Sequence, residues 1–241
     1  MNTAFDQNQF EMLYPDGIEN HYWFSARNII INKAVKKYSD HNEKIIEIGC
    51  GRGIVVKYLN DFGSNCIGVD LAPCKPCDGA GSLIFTGIDA LEVNEDIRHQ
   101  FTTLMLLDVI EHIEDPLQFL YKLLEKYKNI KKIILTVPAR QEIWSDHDVF
   151  NGHFRRYDLD MTFELIKSID FKIEKNAYFF QSLYNLTRFL SRFKIGRKTQ
   201  ILPPLGIQSI VHRFLSYYLI VENLFAHNKQ KGSSIICIAS R

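Results

Sequence analysis

Ile45-Ile46-Glu47-Ile48-Gly49-Cys50-Gly51-Arg52-Gly53 decides how this chain reads. An apolar run ends in an acid, three glycines follow at alternate positions, and a helical pattern runs from Ile54 to Asn60. That order is a strand, a tight turn and a helix N-terminus, with which open α/β sheets build a nucleotide-cofactor site. A dinucleotide fingerprint needs glycine at its first, third and sixth places, and the sixth place here is Ile54. A dehydrogenase is therefore the weakest reading. The third glycine comes one residue early, giving Glu-x-Gly-x-Gly-x-Gly. This loop need not cradle a phosphate. It must let backbone approach a nucleoside without Cβ atoms in the way.

Outward from that turn, strands and helices alternate. Lys44–Ile48 is the first strand, Cys66–Asp70 the second, Ser82–Thr86 a short third, Thr102–Leu107 a fourth and Lys132–Val137 a fifth. The fourth is apolar throughout and so central. Ala26–Tyr38 has helical periodicity, and Asp115-Pro116 opens another helix. The alternation implies a parallel sheet with right-handed crossovers. Residues 1–20 read as polar and irregular. After Pro138 comes a loop, 139–157, then a helix over Leu159–Ile169 and a strand over Phe171–Phe179. Helices over 181–193 and 206–227, split by Pro203-Pro204, precede a closing strand, Ser233–Ala239. The organisation is one domain, 1–241: an N-terminal helical segment 1–43, a core of 44–180 and 232–241, and a helical insertion 181–231. The insertion would lie over the ligand edge of the sheet and reads as a substrate lid. An oligomer contact or a peripheral membrane surface are its other readings, since Phe, Leu and Tyr abound there.

Composition is that of an ordinary globular chain, 46% hydrophobic and 24% charged. Net charge is +1, so no whole-chain field favours nucleic acid, although Arg192, Lys194, Arg197 and Lys198 form a local basic patch. No signal peptide or transmembrane run is seen, and five unpatterned cysteines suit a reducing cytoplasm. Cys74 and Cys77 form a single Cys-x-x-Cys, which lacks the second pair that zinc needs.

Asp70 ends the second strand 17 residues after Gly53, where a carboxylate can accept both ribose hydroxyls of a nucleoside cofactor; a helix N-cap is the alternative. Asp89-Ala90 follows the third strand, and Asp89 can accept an adenine amino group or remain a solvated loop acid. Leu71 would pack on the base or ribose. Asp108-Val109-Ile110-Glu111-His112 puts two carboxylates and an imidazole just past the fourth strand. His112 can take a proton from an acceptor hydroxyl. Glu111 and His112, joined by a later histidine, can instead bind a divalent ion, or the acids can cap a helix and pair with arginines. Trp144-Ser145-Asp146-His147-Asp148 and Gly152-His153-Phe154-Arg155-Arg156-Tyr157 bring two histidines and two arginines to the same edge. The arginines suit a phosphate or carboxylate on an acceptor, or pin a structural loop. In His21-Tyr22-Trp23-Phe24-Ser25-Ala26-Arg27, aromatics can wall a cofactor and Arg27 can take its carboxylate, or the run can staple the helix to the sheet.

The glycine motif, Gly68-Val69-Asp70 and Asp108-Val-Ile-Glu-His-Ile-Glu-Asp-Pro116 together resemble class I S-adenosylmethionine (SAM) methyltransferases, in the branch of the ubiquinone-biosynthesis O-methyltransferases. Residues 21–27, Thr136-Val-Pro-Ala139, 144–148, 152–157 and Gly232-Ser-Ser more narrowly resemble bacterial methyltransferases associated with surface polysaccharides. The usual Lys-Pro-Gly-Gly turn before the fifth strand is replaced by Tyr127–Lys131. The resemblance implies a Rossmann-like α/β class I methyltransferase sheet, mostly parallel with the last strand antiparallel. It implies SAM as cofactor and S-adenosylhomocysteine as product. The cofactor set would be Arg27, Glu47, Gly49, Gly51, Gly53, Asp70, Leu71, Asp89, Ala90 and Asp108. The catalytic candidates are His112, His153 and His147 in that order, with Arg155, Arg156 and Tyr157 on the acceptor. The acceptor would be a sugar, sugar phosphate or similar polar hydroxyl of surface-glycan biosynthesis. Glu111, His112 and His153 also resemble, more loosely, the metal site of small-RNA 2′-O-methyltransferases, which makes a metal-dependent RNA enzyme one alternative. A non-catalytic SAM-binding module is another, against which the crowding of residues 144–157 speaks. The oligomeric state is not set by the sequence.

Overall fold

Seven strands make one sheet: β1 (Lys44–Ile48), β2 (Asn65–Asp70), β3 (Ile84–Thr86), β4 (Thr103–Leu107), β5 (Lys132–Pro138), β6 (Lys172–Phe179) and β7 (Ser234–Ser240). The computed structural model describes residues 10, 12–40, 43–193, 201–226 and 230–241. Strand order is β3-β2-β1-β4-β5-β7-β6. The pairs β1·β2, β2·β3, β1·β4 and β4·β5 are parallel, and β7 runs antiparallel to both β5 and β6. The expected α/β sheet with an antiparallel last strand is therefore the observed one. Its order reverses at β1, so a crevice opens between the C-terminal ends of β1 and β4.

The helices are α1 (Tyr22–Tyr38), α2 (Ile54–Asp61), α3 (Glu95–Arg98), α4 (Pro116–Lys126), α5 (Asp146–Phe150), α6 (Leu159–Ser168), α7 (Gln181–Arg192) and α8 (Ile207–Phe225). They cover both faces of the sheet. Successive strand residues point to opposite sides. Thus Ile46, Leu104 and Leu106 pack with Leu120 and Leu123 of α4, while Ile45, Met105 and Leu107 pack with Ile30, Ile31 and Val35 of α1. Double-sided burial explains why β4 is uniformly apolar.

Two elements and the N-terminal segment differ most from expectation. Helix α1 starts at Tyr22 rather than Ala26, because the His21 side chain accepts the Trp23 N–H at 3.3 Å and caps the helix there. The aromatic run is thus the first helical turn. Strand β3 is only three residues long. Within residues 1–20, Phe10, Leu13 and Ile18 are buried rather than part of a loose polar lead, and the Phe10 ring packs on the Gly51 turn.

The insertion leaves and rejoins the sheet at one tight point. Phe180, fully buried, sits at φ +64° between β6 and α7, and a Cβ on Gly232 would lie 2.2 Å from the Phe179 carbonyl oxygen. The return therefore admits only glycine. Helix α8 lies on α1: the Tyr22 N–H donates to His212 Nδ1 at 3.2 Å, and Ser216 Oγ donates to Ser25 Oγ at 3.1 Å. Glu222 of α8 accepts the Ser182 N–H at the start of α7, 2.6 Å away. Of the basic patch, Arg192 is exposed at the end of α7, whereas Lys194, Arg197 and Lys198 lie outside the described residues, as does the end of the expected 206–227 helix.

Candidate active site

The glycine turn between β1 and α2 has left-handed backbone at Gly49, Gly51 and Gly53 (φ +75°, +55° and +77°). A Cβ on Gly49 would stand 2.6 Å from Val109 Cγ2, so any side chain meets both strain and collision. Asp70 anchors the turn: its carboxylate accepts the Gly51 N–H and the Ala72 N–H, each at 2.7 Å. Burial pushes the Asp70 carboxyl up and the two backbone donors pull it back. A carboxylate has roughly four lone-pair sites, so both oxygens keep accepting capacity. Asp89 caps the turn over residues 90–92 by accepting the Leu91 N–H at 2.9 Å. The Ala90 carbonyl accepts from the Tyr127 hydroxyl at 2.8 Å, and Leu71 is half-buried.

A cavity of about 260 Å³ opens where Gly49 and Gly51 face Arg27, Glu47, Asp108 and the histidines 112, 147 and 153. Gly53, Asp70, Leu71, Asp89 and Ala90 lie outside its wall, Asp70 one hydrogen bond behind Gly51. Asp108 occupies a left-handed position at φ +58°, which aspartate tolerates better than most residues. Arg27 Nη2 pairs with Asp108 Oδ2 at 2.6 Å, and Thr136 Oγ1 donates to Asp108 Oδ1 at 3.1 Å. Arg27 Nε, Glu47 Oε2 and both Glu111 carboxyl oxygens are buried without a hydrogen-bond partner among the described residues. Native interiors rarely leave such atoms unpaired, and their convergence on one cavity marks a polar ligand site.

Burial pushes the Glu47 carboxyl up to about 8, and pushes Glu111 well above the carboxylate range with help from Asp108. The folded chain then holds a proton on Glu47 that the unfolded chain loses above about pH 4.5. Between those values, stability contributed by this group falls as pH rises. Glu47→Gln has no such proton to lose. Its ligand-free melting temperature should rise relative to the parent's between pH 5 and pH 8. A temperature difference that stays constant across that range would remove Glu47 from this role.

The 139–157 loop is stitched to residues 110–114 rather than hanging free. The Phe154 N–H donates to the Glu111 carbonyl at 2.8 Å, and the Tyr157 hydroxyl to the Ile110 carbonyl at 3.1 Å. These bonds set His153 against His112, edge to face, with ring centroids 4.7 Å apart. Asp148, fully buried, accepts from His153 Nδ1 at 2.9 Å and Arg156 Nε at 2.7 Å, and from the Ser145 N–H at 2.9 Å. These donors hold its carboxyl well below the usual range. A carboxylate bonded to Nδ1 fixes the neutral tautomer of His153 with its proton there, so Nε2 carries the lone pair. His112 differs: burial, then its neighbour His153, lowers it to about 4, so it is neutral at pH 7. His147, in the first turn of α5, reaches the same cavity.

Two of the three acceptor candidates stand away from the cavity and the third lines it. Tyr157 is a core residue whose hydroxyl is committed to Ile110. Arg155 turns outward, donating to the Glu114 carbonyl at 2.7 Å, and does not line the cavity. Arg156 lines it, but its Nε holds Asp148 and its Nη1 donates to the Ala139 carbonyl at 3.0 Å. Arg156 thus pins the loop. Sequence reasoning passed over Asp148, although Ser145-x-x-Asp148 is a legible capping box. It also passed over Tyr14, whose hydroxyl, pushed up to about 12 by burial, lines the cavity. Its one signal was the helical spacing of Phe10, Leu13 and Tyr14 over a single turn.

The family described as "Methyltransferase domain" matches residues 22–187. The mitochondrial ubiquinone biosynthesis O-methyltransferase of Schizosaccharomyces pombe is 28% identical over 106 residues, which are 41% of this chain and 39% of that protein. The chain thus spans about two-fifths of the length of that curated relative. Among solved structures, a SAM-dependent methyltransferase from Archaeoglobus fulgidus superposes with a TM-score of 0.53 at 17% identity, covering 89% of this chain and 94% of the other. The small RNA methyltransferase HEN1 superposes with a TM-score of 0.54 at 15% identity, covering 100% of this chain and 26% of that one. At such identities the two structures speak for the fold alone.

Proposed function

This chain belongs to the methyltransferase domain family, and on that premise we propose that it O-methylates a hydroxyl of a small polar acceptor, such as a sugar or sugar phosphate of surface-glycan biosynthesis, using SAM. The observation that carries this reading is a single juxtaposition. His153, oriented through Nδ1 by buried Asp148, borders the same cavity as the glycine turn. The O-methyltransferase name of the curated relative supports oxygen as the methylated atom. Five free cysteines support a reducing, cytoplasmic setting.

The residues present fit the cofactor. The cavity is bordered by the turn at Gly49 and Gly51, and Asp70 behind it retains lone pairs for ribose hydroxyls. Arg27 Nε is a donor suited to the methionyl carboxylate, and Glu47 with Asp108 suits the ammonium group. Bound SAM supplies a methyl carbon made electrophilic by its sulfonium sulfur. The chain's remaining work is alignment, exclusion of water and removal of one proton. Glu47, Glu111 and the His112 ring crowd bulk water out of the cavity wall. His153 Nε2 takes the proton of the acceptor hydroxyl as its oxygen attacks, and the ionised Asp148 steadies the resulting imidazolium. His153 therefore moves ahead of His112 as the base, because a ring held at about 4 is a poor proton acceptor at neutral pH.

Release of S-adenosylhomocysteine from SAM, screened over sugar nucleotides, glycan phosphates and phenols, tests the reading. Turnover confined to an amine, or no turnover alongside undetectable SAM binding, would overturn it. Asp70→Ala should weaken SAM by about 1–3 kcal/mol, since it removes acceptors for two hydroxyls and unpins Gly51. Calorimetry with undiminished affinity would clear Asp70 of that role.

One observation favours a second reading, a metal-dependent 2′-O-methyltransferase of RNA. Ligand atoms of Glu111, His112 and His153 all lie within 4.8 Å of one another, as a divalent cation requires. Methyl transfer to an RNA 2′-hydroxyl that is abolished by a chelator and restored by a divalent ion would select it; transfer to a small acceptor that is indifferent to the chelator would select the first.

A further inference from the structure

Helix α8 carries two stripes, and among the described residues only one is buried against the protein. Ser216, Leu219 and Ile220 are buried toward the core. On the opposite side, Ile207, Ile210, Phe214, Tyr217, Val221 and Leu224 recur at three- and four-residue steps and are 49–79% exposed. Phe189 and Phe193 of the neighbouring segment are exposed by 58% and 59%. Exposed apolar side chains in this number on one helix face mark an interaction site. Charge identifies its partner. Residues 181–231 hold eight Lys and Arg against one acid, Glu222, so the insertion is strongly basic and the rest of the chain net acidic. Glu222 is occupied at the N-terminus of α7, while Arg192 at the end of α7 and Arg213 of α8 stand exposed, as does Arg188, whose Nη1 donates to the Tyr184 hydroxyl at 3.3 Å.

From this we infer that the α7–α8 face docks on an anionic lipid bilayer, apolar side chains in the headgroup boundary and arginines on the acidic headgroups. No helix among the described residues is long and apolar enough to cross a membrane, so the contact is peripheral. A second copy of the chain is a poorer occupant. A two-fold contact through α8 sets Arg213 and an insertion with a single acid, already occupied, against their own copies. RNA answers the charge but leaves half-exposed Phe, Ile and Leu uncovered. The inference is independent of the acceptor's identity.

Flotation of the full chain with vesicles of phosphatidylcholine, alone and mixed with phosphatidylglycerol, tests it. Binding is expected on the mixed vesicles, weakening with added salt. Phe214→Glu and, separately, Arg188→Glu/Arg192→Glu should each reduce it by about tenfold or more. SAM affinity should remain, which reports an intact fold. No binding, or equal binding to both vesicle types, would overturn the inference. So would a lipid-free dimer abolished by Phe214→Glu, or salt-sensitive binding of a random single-stranded RNA that exceeds vesicle binding.

Discussion

His153→Ala is expected to lower turnover by about 10²–10⁴-fold at saturating acceptor, with SAM affinity unchanged. The side chain lies beside the cavity, and its one committed nitrogen, Nδ1, faces Asp148 and not the cofactor turn. Loss of the imidazole therefore removes the proton acceptor without touching Gly49, Gly51 or Asp70. Asp148→Asn tests the same unit from behind. It keeps the side chain's shape but loses the charge that fixes the His153 tautomer, so turnover should fall while the acceptor KM stays near its original value. Because Arg156 also rests on Asp148, the variant's melting curve must accompany its kinetics. Single-turnover methyl transfer separates chemistry from product release. A His153→Ala protein that transfers methyl at the parent's rate would leave alignment alone as the mechanism.

Arg27→Ala should be the costliest change to stability. Arg27 is buried in α1, pairs with Asp108 at 2.6 Å and lies over the Trp23 ring at 5.3 Å. Removing one member of a buried pair typically costs about 3–5 kcal/mol, because the surviving charge is stranded. The loss should fall toward the lower end of that range, since the Asp108 side chain keeps 26% of its surface exposed. Urea unfolding of the ligand-free protein gives the number. Arg27→Ala/Asp108→Asn should recover part of the loss, because no ion is then left unpaired. A single variant within the error of the parent would mean that solvent at Asp108 already satisfies the pair.

Several residues show why some of the site was readable and some was not. Gly49 and Asp70 were legible because their jobs are local: a left-handed turn needs glycine, and a strand-end carboxylate beside it has few uses. Tyr157 and Arg155 were misplaced because an irregular loop has no period, so nothing in residues 152–157 says which side chain faces inward. The pairing of His153 with His112 was suggested only by the resemblance to a metal site, and no local pattern encodes it. It depends on the Phe154–Glu111 bond, which joins residues 43 apart in sequence. The N-terminal contribution of Phe10 and Tyr14 was missed because Phe10, Leu13 and Tyr14 span a single helical turn, too short a pattern to stand out from a polar stretch.

The sequence by itself determined the sheet, the cofactor edge and the turn. Apolar strands buried on both faces, helical periodicity between them and obligate glycines are constraints within a few residues of chain. Only the tertiary structure decided which histidine is oriented by a carboxylate, which arginines are consumed as props, and that one face of α8 stays exposed among the described residues. Those outcomes follow from long-range hydrogen bonds and from competition among helices for a finite core, and no local pattern encodes them.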